Sequence, residues 1–332
     1  MNDAVFAEKS REAYGSVYLG AYLEPFREWL EGDEVSEIIV NRPGEVWLEV
    51  TGEDAMRRVA APAIDDTLLR RLSEQVARVT HQGVSRSWPL LSATLPGGAR
   101  LQVVAPPATR GHWALAIRRH RLREVSLADY AQSARMGKPG AGLQVDAADP
   151  VGTLRRAVAA RATILISGGT SSGKTTFLNS LLREVPGSER VVLIEDTPEI
   201  HTGEGNKLAL VAVKGELGEA RLTTDDLLQA ALRLRPDRIV LGELRGKEAV
   251  SFLRAINTGH PGSFTTIHAN SPQGALEQLA LMVLQSGLGL SRADTIAYAC
   301  SVIDLVVQLD RTGGRRGIAH IVAARELALA MR

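Results

Sequence analysis

The chain has 332 residues, enough for two domains with cores of their own. Apolar residues make up 45% and charged residues 23%, a globular balance, and a net charge of +1 lacks the global basic excess of a nucleic-acid binder. A single cysteine, Cys300, excludes an internal disulfide and a Cys-x-x-Cys zinc pair; it reads as a buried free thiol of a reducing compartment. The stretch MNDAVFAEKSREAYG has no signal-peptide core, and no apolar run approaches the roughly eighteen residues that cross a bilayer, so a cytoplasmic location is expected.

From Tyr18 to Leu30, Leu19, Leu23, Phe26 and Leu30 recur at helical spacing. Val35–Val40 and Glu45–Val50 read as strands around the turn Asn41-Arg-Pro-Gly44. A second helix carries Leu68, Leu72, Val76 and Val79 on one face, and Ala99–Val104 and Trp113–Arg118 read as further strands. Helices and strands without strict alternation predict an α+β N-terminal domain over 1–123 with a mostly antiparallel sheet. Gly137, Pro139, Gly140, Gly142 and Pro150 mark 124–149 as a linker and plausible hinge. From 150 to 332 the rhythm is that of an α/β domain. A helix Val151–Ala160 precedes the strand Ala162–Ser167, and Arg190–Glu195 follows as another strand. Next come a helix capped by Thr223 with Asp226, the strand Arg238–Glu243, a helix from Lys247 and the strand Ser263–His268. Such alternation implies a parallel sheet wrapped by helices.

Between the first strand and its helix stands SGGTSSGKTT. Gly168, Gly173, Lys174 and Thr175 fit G-x-x-x-x-G-K-[ST], and both required flanks are present. Glycines let backbone N–H groups turn towards phosphates, and the following helix N-terminus adds a favourable dipole. The nucleotide loop is Gly168, Gly169, Thr170, Ser171, Ser172, Gly173, Lys174, Thr175 and Thr176, with Lys174 on the β- and γ-phosphates and Thr175 on Mg²⁺. Two acidic sites end neighbouring strands: Glu195-Asp-Thr-Pro-Glu199, and Glu243 after Ile239-Val-Leu-Gly. Carboxylates there can hold a metal-bound water or orient the attacking one. His268 ends a third strand, where a polar group can sense the γ-phosphate.

In this order the four pieces GGTSSGKTT, LIEDTPEI, LRLRPDRIVLGELRG and GHPGSFTTIHANS resemble the type II/type IV secretion ATPase superfamily. The resemblance covers Val151 to about Leu309, and VNRPGEVWLE, LPGGARLQVV and LAIRRH extend it to the N-terminal part. It is closest to the short traffic ATPase of type IV secretion systems, with conjugation ATPases close by. The type II motor's zinc module is ruled out by the single cysteine, and the retraction motor's A-I-R-x-L-I-R-E stretch is absent.

The resemblance implies a RecA-like P-loop ATPase domain behind a smaller α+β domain. It also implies ATP and Mg²⁺ as ligands and ATP hydrolysis that powers export. Glu243 and Glu195 would be catalytic; Thr175, Glu195, Asp196 and Glu243 would serve the metal; His268 would meet the γ-phosphate. Family members bind ATP between their domains with N-terminal arginines on the phosphates, which points to Arg118 and Arg100, with Arg119 weaker. A homohexameric ring, inner-membrane components of a secretion system, peripheral membrane association and an exported protein or DNA cargo follow as implications, without sequence-specific nucleic-acid binding. One departure stands out: many members read G-T-G-S-G-K, whereas Ser171-Ser172 precede Gly173 here. Serine restricts the loop if φ is positive at that point, though binding is expected to survive. The rival readings are a nucleotide-regulated assembly scaffold with little turnover and a nucleic-acid motor; paired strand-end carboxylates disfavour the first, and near-zero net charge the second.

Overall fold

The structure, a computed structural model, describes residues 17–95, 98–119, 143–201, 203–213, 220–312 and 315–331. The chain divides into two compact units. The first holds the described residues up to 119 with those of Asn206–Thr223 and Arg233–Arg235; the second holds the remaining described residues from 143 onward.

The first unit opens with α1 (Val17–Leu23), a 3-10 turn (Glu24–Phe26) and α2 (Arg27–Glu31). The single helix expected over Tyr18–Leu30 is therefore broken, and Pro25 is the reason. It has no N–H to continue a helix and sits in the first turn of the 3-10 segment, where none is needed. Strands β1 (Val35–Val40), β2 (Gly44–Val50) and β3 (Arg57–Ala61) precede α3 (Asp66–Val79), and β4 (Leu90–Thr94), β5 (Arg100–Val104) and β6 (Ala114–Arg118) follow it. The strands pair antiparallel in the order β3-β2-β1-β6-β5-β4, as the sequence predicts for this sheet. Register draws one apolar row across it: Ile38 faces both Leu48 and Ile117, and Ile117 faces Leu101. Side chains alternate along a strand, so Val40, Val46, Val103 and Leu115 join that face and pack with Leu19 of α1 and Leu72 of α3. The inward face of α3 centres on Leu69, Leu72, Ser73 and Val76; Leu68 and Val79 lie at its margin. Asp65 caps α3 by accepting the Leu68 N–H at 2.7 Å.

The second unit runs through α4 (Pro150–Ala159), β7 (Ile164–Gly168), α5 (Lys174–Arg183) and β8 (Val191–Glu195). After β9 (Lys207–Val211), which lies in a stretch of the first unit, it resumes with α6 (Thr224–Ala231), β10 (Arg238–Leu244), α7 (Glu248–Asn257) and β11 (Phe264–Ile267). It ends with α8 (Pro272–Leu284), α9 (Arg292–Val302), β12 (Leu305–Thr312), β13 (Arg315–Ala323) and α10 (Ala324–Ala330). Strands β12, β7, β11, β10 and β8 lie side by side in that order, all parallel, with β13 antiparallel on β12. All five residues of β7 and of β8 are buried, which is why both read as unbroken apolar runs and not as alternations. Strand order departs from chain order, so the loops after β7, β8, β10 and β11 emerge together at the carboxyl edge, where such sheets bind ligands.

Of the expected linker 124–149 only 143–149 are described; Asp149 at its end caps α4, accepting the Gly152 N–H at 2.8 Å. The stretches 206–223 and 233–235, read in the sequence as part of the C-terminal domain, group with the first unit. Asn41 Nδ2 donates to Asn206 Oδ1 at 2.9 Å, and Arg235 Nε donates to Glu49 Oε2 at 2.9 Å.

Candidate active site

Strand β7 delivers the chain to the loop 169–173, and α5 receives it. Gly173 adopts φ +90° immediately before the helix and Ser171 adopts φ +63°, so the serine does occupy a left-handed position. Gly168 is required by space: a Cβ there would stand 2.3 Å from Ser172 Oγ and 3.2 Å from the Leu309 carbonyl. Lys174 is 9% exposed, and its Nζ donates to the carbonyls of Gly168 (2.9 Å) and Gly169 (3.2 Å). Burial holds its pKa below the usual lysine range; the nearby Glu243 charge opposes that shift and Arg245 adds to it.

A cleft of about 440 Å³ opens over this loop. Thr170 to Thr176 form one wall, the residues after β8 and β10 another, and His268 and Arg316 close it. Glu243 faces two basic side chains at once: its Oε1 lies 2.9 Å from His268 Nε2, and its Oε2 accepts from Arg245 Nε at 2.6 Å. That pairing raises the Arg245 pKa, its hydrogen bond to Glu243 first and the charge of Glu243 next. Lys174 Nζ is 3.3 Å from His268 Nε2, so loop, histidine and glutamate form one contiguous group. Asp196 accepts from Thr224 Oγ1 at 3.0 Å and lies 3.9 Å from Arg245 Nη1. Thr175 Oγ1 donates to Glu199 Oε2 at 3.3 Å.

Glu195, expected to be catalytic and to serve the metal, lines the cleft from the end of β8. It is buried, and its Oε1 accepts the backbone N–H groups of Glu199 (2.9 Å) and Ile200 (2.6 Å). A carboxylate spent on backbone donors shapes the loop that carries Glu199. The structure gathers Lys174, Thr175, Glu195, Asp196, Glu199, Glu243 and His268 at one cleft, all on the second unit. Gly168 contributes its carbonyl from just beneath the cleft, and Gly169 lines an adjoining pocket with Asn270 and Gln308.

Arg100 and Arg118 belong to the first unit, directly opposite each other on β5 and β6, with Arg118 Nε 3.6 Å from Glu37 Oε1. Arg119 has a structural task instead. Its Nη1 donates to the carbonyls of Trp29 (3.2 Å), Val35 (3.0 Å) and Gly32, holding the end of α2 against β1. Three cleft residues escape sequence reasoning: Thr224, Arg245 and Arg316. Arg245 carried a usable signal, because it stands two residues after Glu243, just past the end of the same strand. Cys300 is half-buried, and burial pushes its thiol up to about 11, which leaves it inert.

A parallel sheet in this strand order, with a glycine loop after the inner strand β7 and acid groups at two neighbouring strand ends, defines a RecA-like P-loop nucleoside triphosphatase. Comparison with known proteins makes this specific. The family model described as type II/IV secretion system protein matches residues 23–323. The type IV secretion system protein VirB11 of Bartonella quintana (strain Toulouse) is 35% identical over 325 residues, covering 90% of this chain and 91% of its own. PtlH, a type IV secretion system protein of Bordetella pertussis, is 36% identical over 317 residues, with 91% and 93% covered. The crystal structure of the VirB11 ATPase from the Brucella suis type IV secretion system, in complex with sulphate, superposes with a TM-score of 0.84 at 34% identity, covering 98% of this chain and 99% of that one. The chain belongs to the type II/IV secretion family. It is a nucleotide-binding ATPase of that family, and the predicted fold, enzyme class and secretion role hold. None of its described helices is long and apolar enough to cross a membrane.

Proposed function

We propose that the cleft binds ATP with Mg²⁺ and that Glu243 takes the proton of the attacking water. Water attacks the γ-phosphorus, the bond from phosphorus to the ADP oxygen breaks, and the proton passes to the Glu243 carboxylate. The observation that carries this reading is the contact of Glu243 with His268, beside a buried Lys174 whose ammonium already points at the glycine loop. Lys174 puts its charge on phosphate oxygens; His268 holds Glu243 in place and meets the transferred group.

The residues present suit a hard, oxygen-seeking ion. The Thr175 hydroxyl, Glu199 and Asp196 offer oxygen donors at the cleft. Among the described residues no three or more acidic, histidine or cysteine side chains form a closed cage. That pattern suits Mg²⁺, which takes one or two protein oxygens and completes its shell with water and phosphate. Bound there, the ion neutralises charge on the phosphate oxygens.

In the assembled machine the chain works as a homohexameric ring docked on inner-membrane secretion components, and hydrolysis drives export of a protein or DNA cargo. The test of the site is a pair of variants. Glu243→Gln is expected to bind a slowly hydrolysed ATP analogue as the wild type does while losing turnover by about 10²- to 10⁴-fold, the usual reach of a general base. Lys174→Ala is expected to lose both. Near-normal turnover in Glu243→Gln overturns the assignment.

A further inference from the structure

The hairpin of β12 and β13 reaches the phosphate loop from a direction that no sequence motif announces. Strand β12 lies parallel to β7, with Leu309 beside Gly168, and β13 returns along it with Arg316 opposite Arg311. The stem of Arg316 rests on the loop: its Cδ stands 3.0 Å and its Nε 3.8 Å from where a Cβ on Gly173 would be. The side chain lines the same cleft as Lys174 and Glu243. The other cations there are engaged, Lys174 with the carbonyls of Gly168 and Gly169, Arg245 with Glu243 and Asp196. Among the described residues the guanidinium of Arg316 has no hydrogen bond or ion pair.

We infer that Arg316 is a nucleotide-clamping residue that closes on the phosphate chain where ADP and ATP are alike. The inference rests on the reading of the cleft as the ATP site. Its position decides which phosphates it meets. Gly173 is the last residue before α5, and backbone N–H groups at that point of a phosphate loop cradle the α- and β-phosphates. Glu243 on β10 and His268 just after β11, which serve the γ-phosphate, stand on the other side of β7 from the hairpin. A guanidinium over Gly173 therefore binds ground state and transition state alike, which lowers KM and leaves kcat nearly unchanged. Its planar fork also suits two phosphate oxygens better than an ammonium does. A clash follows as well: any side chain at residue 173 would displace Arg316, so the glycine serves both the loop's positive φ and the arginine's access.

The experiment measures binding of a fluorescent ADP, together with steady-state ATP turnover, for the wild type, Arg316→Ala, Arg316→Lys and Lys174→Ala. Arg316→Ala is expected to raise both the Kd for ADP and the KM for ATP about tenfold, as loss of a charge-assisted hydrogen bond does, with kcat within roughly threefold. Arg316→Lys should recover only part of the loss. An unchanged Kd and KM in Arg316→Ala overturns the clamp, and so does a fallen kcat with unchanged ADP binding, which would place the arginine on the transition state. Lys174→Ala separates this failure from a larger one: if that variant also turns over normally, the ATP-site reading itself falls.

Discussion

At the scale of single residues, the phosphate loop carries a strain that its sequence foretells. Ser171 sits at φ +63°, a region that costs a residue with a Cβ about 1–2 kcal/mol. Ser171→Gly removes that cost but adds freedom to the unfolded chain, so a net gain of roughly 0.5–1 kcal/mol is expected from thermal or urea unfolding, with turnover unchanged. Lys174 makes a second, pH-dependent prediction. Burial lowers its pKa in the folded protein, so folding is penalised at neutral pH and the penalty eases as pH rises through the lowered value. Activity has the opposite slope, because only the charged lysine holds phosphate. Nucleotide affinity should therefore fall on the alkaline side at a pH below the usual lysine range, and Lys174→Arg should move that limb upward, since arginine keeps its proton. An alkaline limb identical in both proteins would remove Lys174 as its source.

At the scale of elements, what pins the acidic loop after β8 decides which glutamate is the base. Glu195 Oε1 takes two backbone N–H groups, and Asn179 of α5 adds two more ties: its Oδ1 accepts the His201 N–H at 2.8 Å, and its Nδ2 reaches the Glu199 carbonyl at 3.4 Å. Glutamine keeps the accepting oxygen, so Glu195→Gln should retain turnover within about threefold, whereas Glu195→Ala strands buried donors at a cost of about 1–3 kcal/mol. Loss in Glu195→Gln as deep as in Glu243→Gln would return the base to Glu195. The same scale explains what was legible. Strands β7, β8 and β10 are buried apolar runs bounded by turn residues, and the glycine loop has fixed spacing, so all were readable in the sequence. Strands β3, β4 and β13 were not. They are the edges of their sheets or pair on one side only; β3 and β13 are largely exposed and rich in arginine, leaving no apolar alternation to see. Arg316 stands on such an edge, which is why only the fold brings it to the cleft.

At the scale of the molecule, local pattern fails where the chain leaves a unit and returns. Nothing in 206–223 or 233–235 announces a partner in the N-terminal region; the link lies in Asn41 with Asn206 and in Glu49 with Arg235, pairs separated by 165 and 186 residues. The ring is a claim at this same scale, and solution mass tests it. A nucleotide that binds the assembled form better than the free chain must, by linkage, promote assembly. The mass of the purified protein, measured with and without Mg²⁺ and a slowly hydrolysed ATP analogue, is therefore expected to reach six times that of the chain, and to do so at lower protein concentration when nucleotide is present. Lys174→Ala should assemble without responding to nucleotide, because it loses the ligand and keeps the fold. A monomer or dimer under every condition would leave an ATPase whose hydrolysis has no ring to act through.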